Sequence, residues 1–146
     1  MPKTTPPIDF DLSTFTPYRM SITAQKLSEG LAREYRARFD ISIPEWRVLA
    51  HLSQSNGVSV RDIEHRVAME KSKVSRAAAR LEEAGFIAKT TNDQDRRLVH
   101  LALTESGKDL MAQLLPIALA YDRALTEALG DTKAGLTAAL DKLLSD

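Results

Sequence analysis

The sequence predicts a mainly α-helical fold with one small β-hairpin, and three observations predict it. Apolar residues recur at helical spacing through most of the 146 residues. Capping and stop signals cut that pattern into separate helices. One stretch, residues 86–103, switches instead to two short strands across a turn rich in Asn, Asp and Gln.

Residues 1–12, opening Met1-Pro-Lys-Thr-Thr-Pro-Pro-Ile, read as a flexible arm without an apolar run long enough for a signal peptide or membrane span. Ile22, Leu27, Leu31, Tyr35 and Phe39 then mark an amphipathic helix over roughly 14–39. Ser42-Ile43-Pro44-Glu45 is a capping-box pattern, with Ser42 at the cap and Glu45 reaching back to it. The helix it opens carries Trp46, Leu49, Ala50 and Leu52 and stops at Asn56-Gly57. Ser59 is expected to cap a short helix, with Asp62 at its third position and Val58 stapled onto Ile63, packing through Val60, Ile63 and Val67. A turn near Ala68-Met69 leads into a basic helix that ends at Gly85, suited to the left-handed position after a helix. Phe86–Thr91 and Leu98–Leu103 are the expected strands, Val99, Leu101 and Leu103 sharing a face. Thr104 caps a long helix to about Leu129, with Leu110, Leu114, Ala118, Tyr121 and Leu125 along one side and Pro116 expected to bend it. After Gly130-Asp131, Leu136, Leu140, Leu143 and Leu144 mark a last helix.

A chain of this length buries a core without staples, and it contains no cysteine, which excludes disulfide scaffolds, cysteine-ligated zinc and thiol redox sensing and points to a reducing cytoplasm. The formal charge is zero, yet its distribution is uneven: +1 over residues 1–60, +2 over 61–103 and −3 over 104–146. Residues 71–81 hold four cations, Lys71, Lys73, Arg76 and Arg80, and no anion.

At about 100° per residue, Val74, Ala77, Ala78 and Leu81 form the buried stripe of the basic helix, and Ser72, Lys73, Arg76 and Arg80 face the other way. Ser75 lies at the border, and small Ala79 lies among the polar residues. Such a face suits a DNA major groove: Arg grips guanine through two bonds, Ser and Lys bind phosphate, and Ala permits close approach. A solvated helix face is the plain alternative. Against it stand the missing balancing acids and the short helix and tight turn just upstream, a helix-turn-helix arrangement. In the hairpin, Lys89, Arg96 and Arg97 flank a loop holding Asp93 and Asp95. An ordinary polar turn explains them, and so does a wing in which Arg96 or Arg97 enters a minor groove while an Asp steadies an arginine.

With these residues in place, the chain resembles the MarR family (multiple antibiotic resistance) of winged helix-turn-helix regulators, most strongly from about Ile43 to Gly107. The match rests on Lys71-Ser72-Lys73-Val74-Ser75-Arg76, on Leu81-Glu82-Glu83-Ala84-Gly85-Phe86-Ile87, and above all on Asp95-Arg96-Arg97 followed by Leu101-Ala102-Leu103-Thr104-Glu105-Ser106-Gly107. The resemblance implies one domain with a DNA-binding lobe over 41–103 and a helical dimerisation region from 13–40 and 104–146. It implies a homodimer on a pseudo-palindromic operator, with Arg97 as the minor-groove arginine and Asp95 as its support. It further implies a small ligand, often an aromatic or phenolic anion, that binds where the dimer helices meet the lobe and weakens DNA binding.

Candidates for that ligand are Tyr18, Arg19, Trp46 and His51: Arg19 can pair with a carboxylate and Trp46 can stack on a ring, although a tryptophan at such a position is commonly plain core and a histidine an interhelix hydrogen-bonder. No metal or cofactor is expected, because His51, His65 and His100 fall on different elements. No enzyme is expected either, since no nucleophile stands with a base or carboxylate pair. The rival to a DNA-binding repressor is a winged helix that binds protein without reading DNA, favoured by the neutral total charge.

Overall fold

The computed structural model of the chain describes residues 3–54, 58–59, 62–63, 71–91 and 99–145, with backbone alone at 58, 59 and 91. Its helices are α1 (Thr16–Phe39), α2 (Ile43–Gln54), α3 (Lys71–Glu83), α4 (Glu105–Leu129) and α5 (Thr132–Leu144), and its strands are β1 (Val58–Ser59), β2 (Ile87–Thr91) and β3 (Val99–Leu103). Asp62 and Ile63 are also helical.

Local chemistry sets the boundaries. Helix α1 ends at Asp40, whose left-handed backbone (φ 54°) lets its N–H return to the Arg36 carbonyl; Asp tolerates this conformation better than most side chains. Helix α2 starts on the expected box. The Glu45 N–H donates to Ser42 Oγ at 3.3 Å, and the Ser42 hydroxyl donates to Glu45 Oε1 at 2.8 Å. Helix α4 is capped by Thr104, whose Oγ1 accepts from the Gly107 N–H at 3.1 Å. It runs on through Pro116 to Leu129, although the proline can give no N–H to the preceding turn.

The expected hairpin is present, β2 pairing β3 antiparallel from Ile87↔Leu103 to Thr91↔Val99. The sheet nevertheless has three strands in the order β1-β3-β2. Val58 and Ser59, read from sequence as a staple and a cap, form the third strand opposite Leu101 and His100. The rest of that expectation, at Val60 and Val67, and the turn at Ala68-Met69 lie outside the described residues.

One core joins the lobe to the flanking helices: Tyr35 of α1 and Leu114 of α4 are buried with Leu49, Leu52, Ile63, Val74, Leu81, Ile87 and Leu101. The Tyr35 hydroxyl donates to the Leu114 carbonyl at 3.3 Å, and burial pushes its pKa up to about 12. Across the upper part of the α1–α4 contact, the Tyr121 hydroxyl donates to the Leu27 carbonyl at 2.9 Å. The exposed large apolar residues gather away from the lobe, on Ile8, Phe10, Leu12, Phe15, Tyr18, Met20 and Ile22 near the N-terminus and on Leu115, Leu119, Leu136, Leu140, Leu143 and Leu144 near the C-terminus. Ile22, expected on the packed face of α1, is one of them at 48% exposure.

Candidate nucleic-acid interface

Helix α3 divides as its periodicity predicts. Val74, Ala77, Ala78 and Leu81 are buried, each at 4% exposure or less. Lys71, Ser72, Lys73, Ser75, Arg76, Ala79 and Arg80 are exposed. Burying one such valine or leucine stabilises by roughly 1.5–3 kcal/mol, so the apolar stripe fixes the roll of the helix and thereby aims the polar face outward. This face has the chemistry that a DNA groove accepts: serines and an alanine leave room, and cations stand between them.

The cations are not equivalent. Lys71, Lys73 and Arg76, in the first half of α3, make no ion pair among the described residues, whereas the Arg80 guanidinium lies 3.5 Å from Glu45 Oε1 on α2. In the wing stem, Lys89 of β2 lies 3.6 Å from Glu82 of α3. By spacing alone, Arg80 groups with the other cations and Glu45 is a cap only. A contact between residues 45 and 80 leaves no periodic trace, so no sequence signal marks it.

The far end of α3 is fastened tightly. Gly85 takes the left-handed conformation (φ 84°) that a side chain would strain. Its N–H donates to Glu82 at 3.0 Å, and the Phe86 N–H donates to Leu81 at 2.9 Å, a Schellman closure. Thr104 then ties this turn to α4: its hydroxyl donates to the Gly85 carbonyl at 2.6 Å and its N–H to the Phe86 carbonyl at 3.0 Å. Gly107 sits so close that a methyl group there would strike the Phe86 carbonyl oxygen. The Leu-Thr-x-x-Gly segment of the sequence is therefore a joint between the basic helix and the long helix α4.

The wing-tip residues Asp95, Arg96 and Arg97 lie outside the described residues, as does His65. The four ligand candidates have separate surroundings. Tyr18 is 40% exposed on α1, and Arg19 lines an α1–α5 groove with Met20, Leu27, Leu136 and Leu140. Trp46 packs against the core with its ring tilted onto Tyr35, centroids 5.1 Å apart, and His51 is half-buried on α2. Among the described residues no group of His, Cys, Asp or Glu is placed to hold a metal ion, and no helix is long and apolar enough to cross a membrane.

Residues 39–98 match the model of the MarR family. The transcriptional repressor MdtR of Bacillus subtilis is 36% identical over 84 residues, 55% of this chain and 54% of that protein. The HTH-type regulator YfiV of the same organism is 31% identical over 77 residues, 53% of this chain and 48% of that protein, so the chain spans about half the length of these curated relatives. Likeness of fold extends further. A MarR/EmrR family regulator from Acinetobacter sp. ADP1 superposes with a TM-score of 0.82 over 92% of this chain and 95% of that one, at 27% identity. PcaV of Streptomyces coelicolor, solved with its natural ligand, shares the fold with a TM-score of 0.74 over 94% of this chain and 96% of that one, at 20% identity. Its central segment, residues 39–98, matches the MarR family model, and nearly its whole length has the fold of a MarR/EmrR family regulator.

Proposed function

We propose that the protein is a cytoplasmic, sequence-specific DNA-binding repressor that acts as a homodimer on a pseudo-palindromic operator and is released by a small ligand. The observation that carries this reading is the face of α3, where Lys71, Lys73 and Arg76 stand exposed, and without an ion pair among the described residues, beside Ser72 and Ser75. Lys73 and the serines would hold phosphates while Arg76 reads a base edge in the major groove. From the wing, Arg97 would enter the flanking minor groove with Arg96 beside it and Asp95 as its support. The repressor name of MdtR supports the sign of regulation.

A second copy of the chain is the natural cover for the apolar residues left exposed along both terminal regions, since a monomer rarely shows so many together. The lobe over 41–103 would then be presented twice by a dimer region formed from 13–40 and 104–146. Two-fold symmetry sets the half-sites about one helical turn apart, roughly 34 Å. For a small aromatic or phenolic anion the reading nominates Arg19 as the charge partner, with Tyr18, Trp46 and His51. Support for a ligand comes from PcaV, a neighbour in fold solved with its natural ligand.

The Arg97→Ala variant is expected to weaken operator binding by at least about tenfold, equivalent to roughly 1.4 kcal/mol, while size-exclusion chromatography still shows the wild-type oligomer. A gel-shift titration with unchanged affinity would remove the wing from the interface.

A further inference from the structure

Arg80 shares the exposed face of α3, but its partner sets it apart from the other cations there. Glu45 is 8% exposed, the only charged residue that is buried among the described residues. Its Oε1 atom accepts from the Ser42 hydroxyl at 2.8 Å and faces Arg80 at 3.5 Å. The capping box therefore fixes the carboxylate in place, and burial makes its charge costly to leave uncompensated. If Arg80 turned to a DNA phosphate, an unpaired carboxylate would remain inside the protein. The cavity beside the pair adds to this bias, because Asp40 and Glu83 line it with Glu45 against only Arg36 and Arg80. Lys89 is a contrast: its partner Glu82 is 38% exposed at the side chain, so water can replace the lysine when DNA arrives.

We propose that Glu45 is a specificity-determining residue that withholds Arg80 from the DNA backbone, confining the electrostatic grip of α3 to its first half and suppressing sequence-independent binding. The inference rests on the DNA-binding reading of α3. Sequence-independent affinity follows the number of phosphates neutralised, and each one steepens the dependence of log K on log salt by about 0.9. A dimer whose two Arg80 side chains are withheld thus binds unrelated DNA with a shallower slope than its exposed arginines alone suggest.

The test is a fluorescence anisotropy titration of the full chain and its variants on a 30-base-pair duplex of unrelated sequence, at several salt concentrations. Glu45→Gln keeps the size and hydrogen-bonding capacity of the cap while removing the charge, and is expected to bind this duplex more tightly, with a slope steeper by up to about 1.8 per dimer. Arg80→Gln is expected to leave the slope unchanged, and the double variant to restore it to the wild-type value. A shallower slope for Arg80→Gln would overturn the proposal by showing Arg80 already on phosphate, whether or not Glu45→Gln folds. An unchanged slope for a folded Glu45→Gln would overturn it too. A wild-type chain with no salt-dependent binding to any duplex would instead sink the DNA-binding reading itself.

Discussion

Replacing Lys73 and Arg76 together with glutamine is expected to lower operator affinity by about 100-fold or more, taking roughly 1–3 kcal/mol for each lost arginine–base contact in a dimer. The two Lys73 side chains of a dimer release two phosphates, and at about 0.9 per neutralised phosphate the salt slope should flatten by about 1.8. Neither residue touches the core: both are exposed, and neither makes an ion pair among the described residues. The melting temperature should therefore stay nearly constant, because surface changes of this kind are usually worth within about 0.5 kcal/mol. Loss of binding with retained stability separates a reading face from a solvated one. Retained affinity in a gel-shift titration would return the first half of α3 to the status of an ordinary helix surface.

The second large effect is on the joint behind the basic helix α3. Gly107→Ala forces a methyl group onto the Phe86 carbonyl oxygen, the same oxygen that receives the Thr104 N–H. Backbone on one side and a capped helix on the other leave little room to yield. The cost should lie near the upper end of the roughly 1–3 kcal/mol typical of overpacking, lowering the melting temperature by about 6–12 °C at roughly 2–4 °C per kcal/mol. Gly135→Ala is the matched control. A methyl group at Gly135 meets nothing within 4 Å, and alanine should stabilise the interior of α5 by about 0.5–1 kcal/mol. Equal melting temperatures for the two variants would show that the joint is slack. Because Thr104 and Gly107 hold the C-terminal turn of α3 against α4, Gly107→Ala is also expected to weaken operator binding, through misplacement of the helix rather than loss of a contact.

Much of this was legible in the chain because it is local. The buried stripe of α3, the caps at Ser42 and Thr104 and the turn at Gly85 are each set by spacing within a few residues, and all stand where the spacing puts them. Strand β1 escaped because a two-residue strand has no period to detect; it exists through its partner β3. The Glu45–Arg80 pair escaped for a similar reason, since it depends on α2 crossing α3 and not on either helix alone. Ile22 misled in the opposite direction: periodicity marks an apolar face, but not whether the cover comes from the same chain. The close approach of Gly107 to Phe86 was carried in the sequence only as a motif, and the backbone geometry supplies its reason.

If the exposed cations of α3 make this chain a DNA reader, its affinity must depend on both DNA sequence and salt. An anisotropy titration of the full chain on the DNA upstream of its own gene, against an unrelated duplex of equal length, measures both. Binding to the upstream DNA is expected to be the tighter, with affinity for both duplexes falling steeply as salt rises. No salt-dependent binding to either would contradict it.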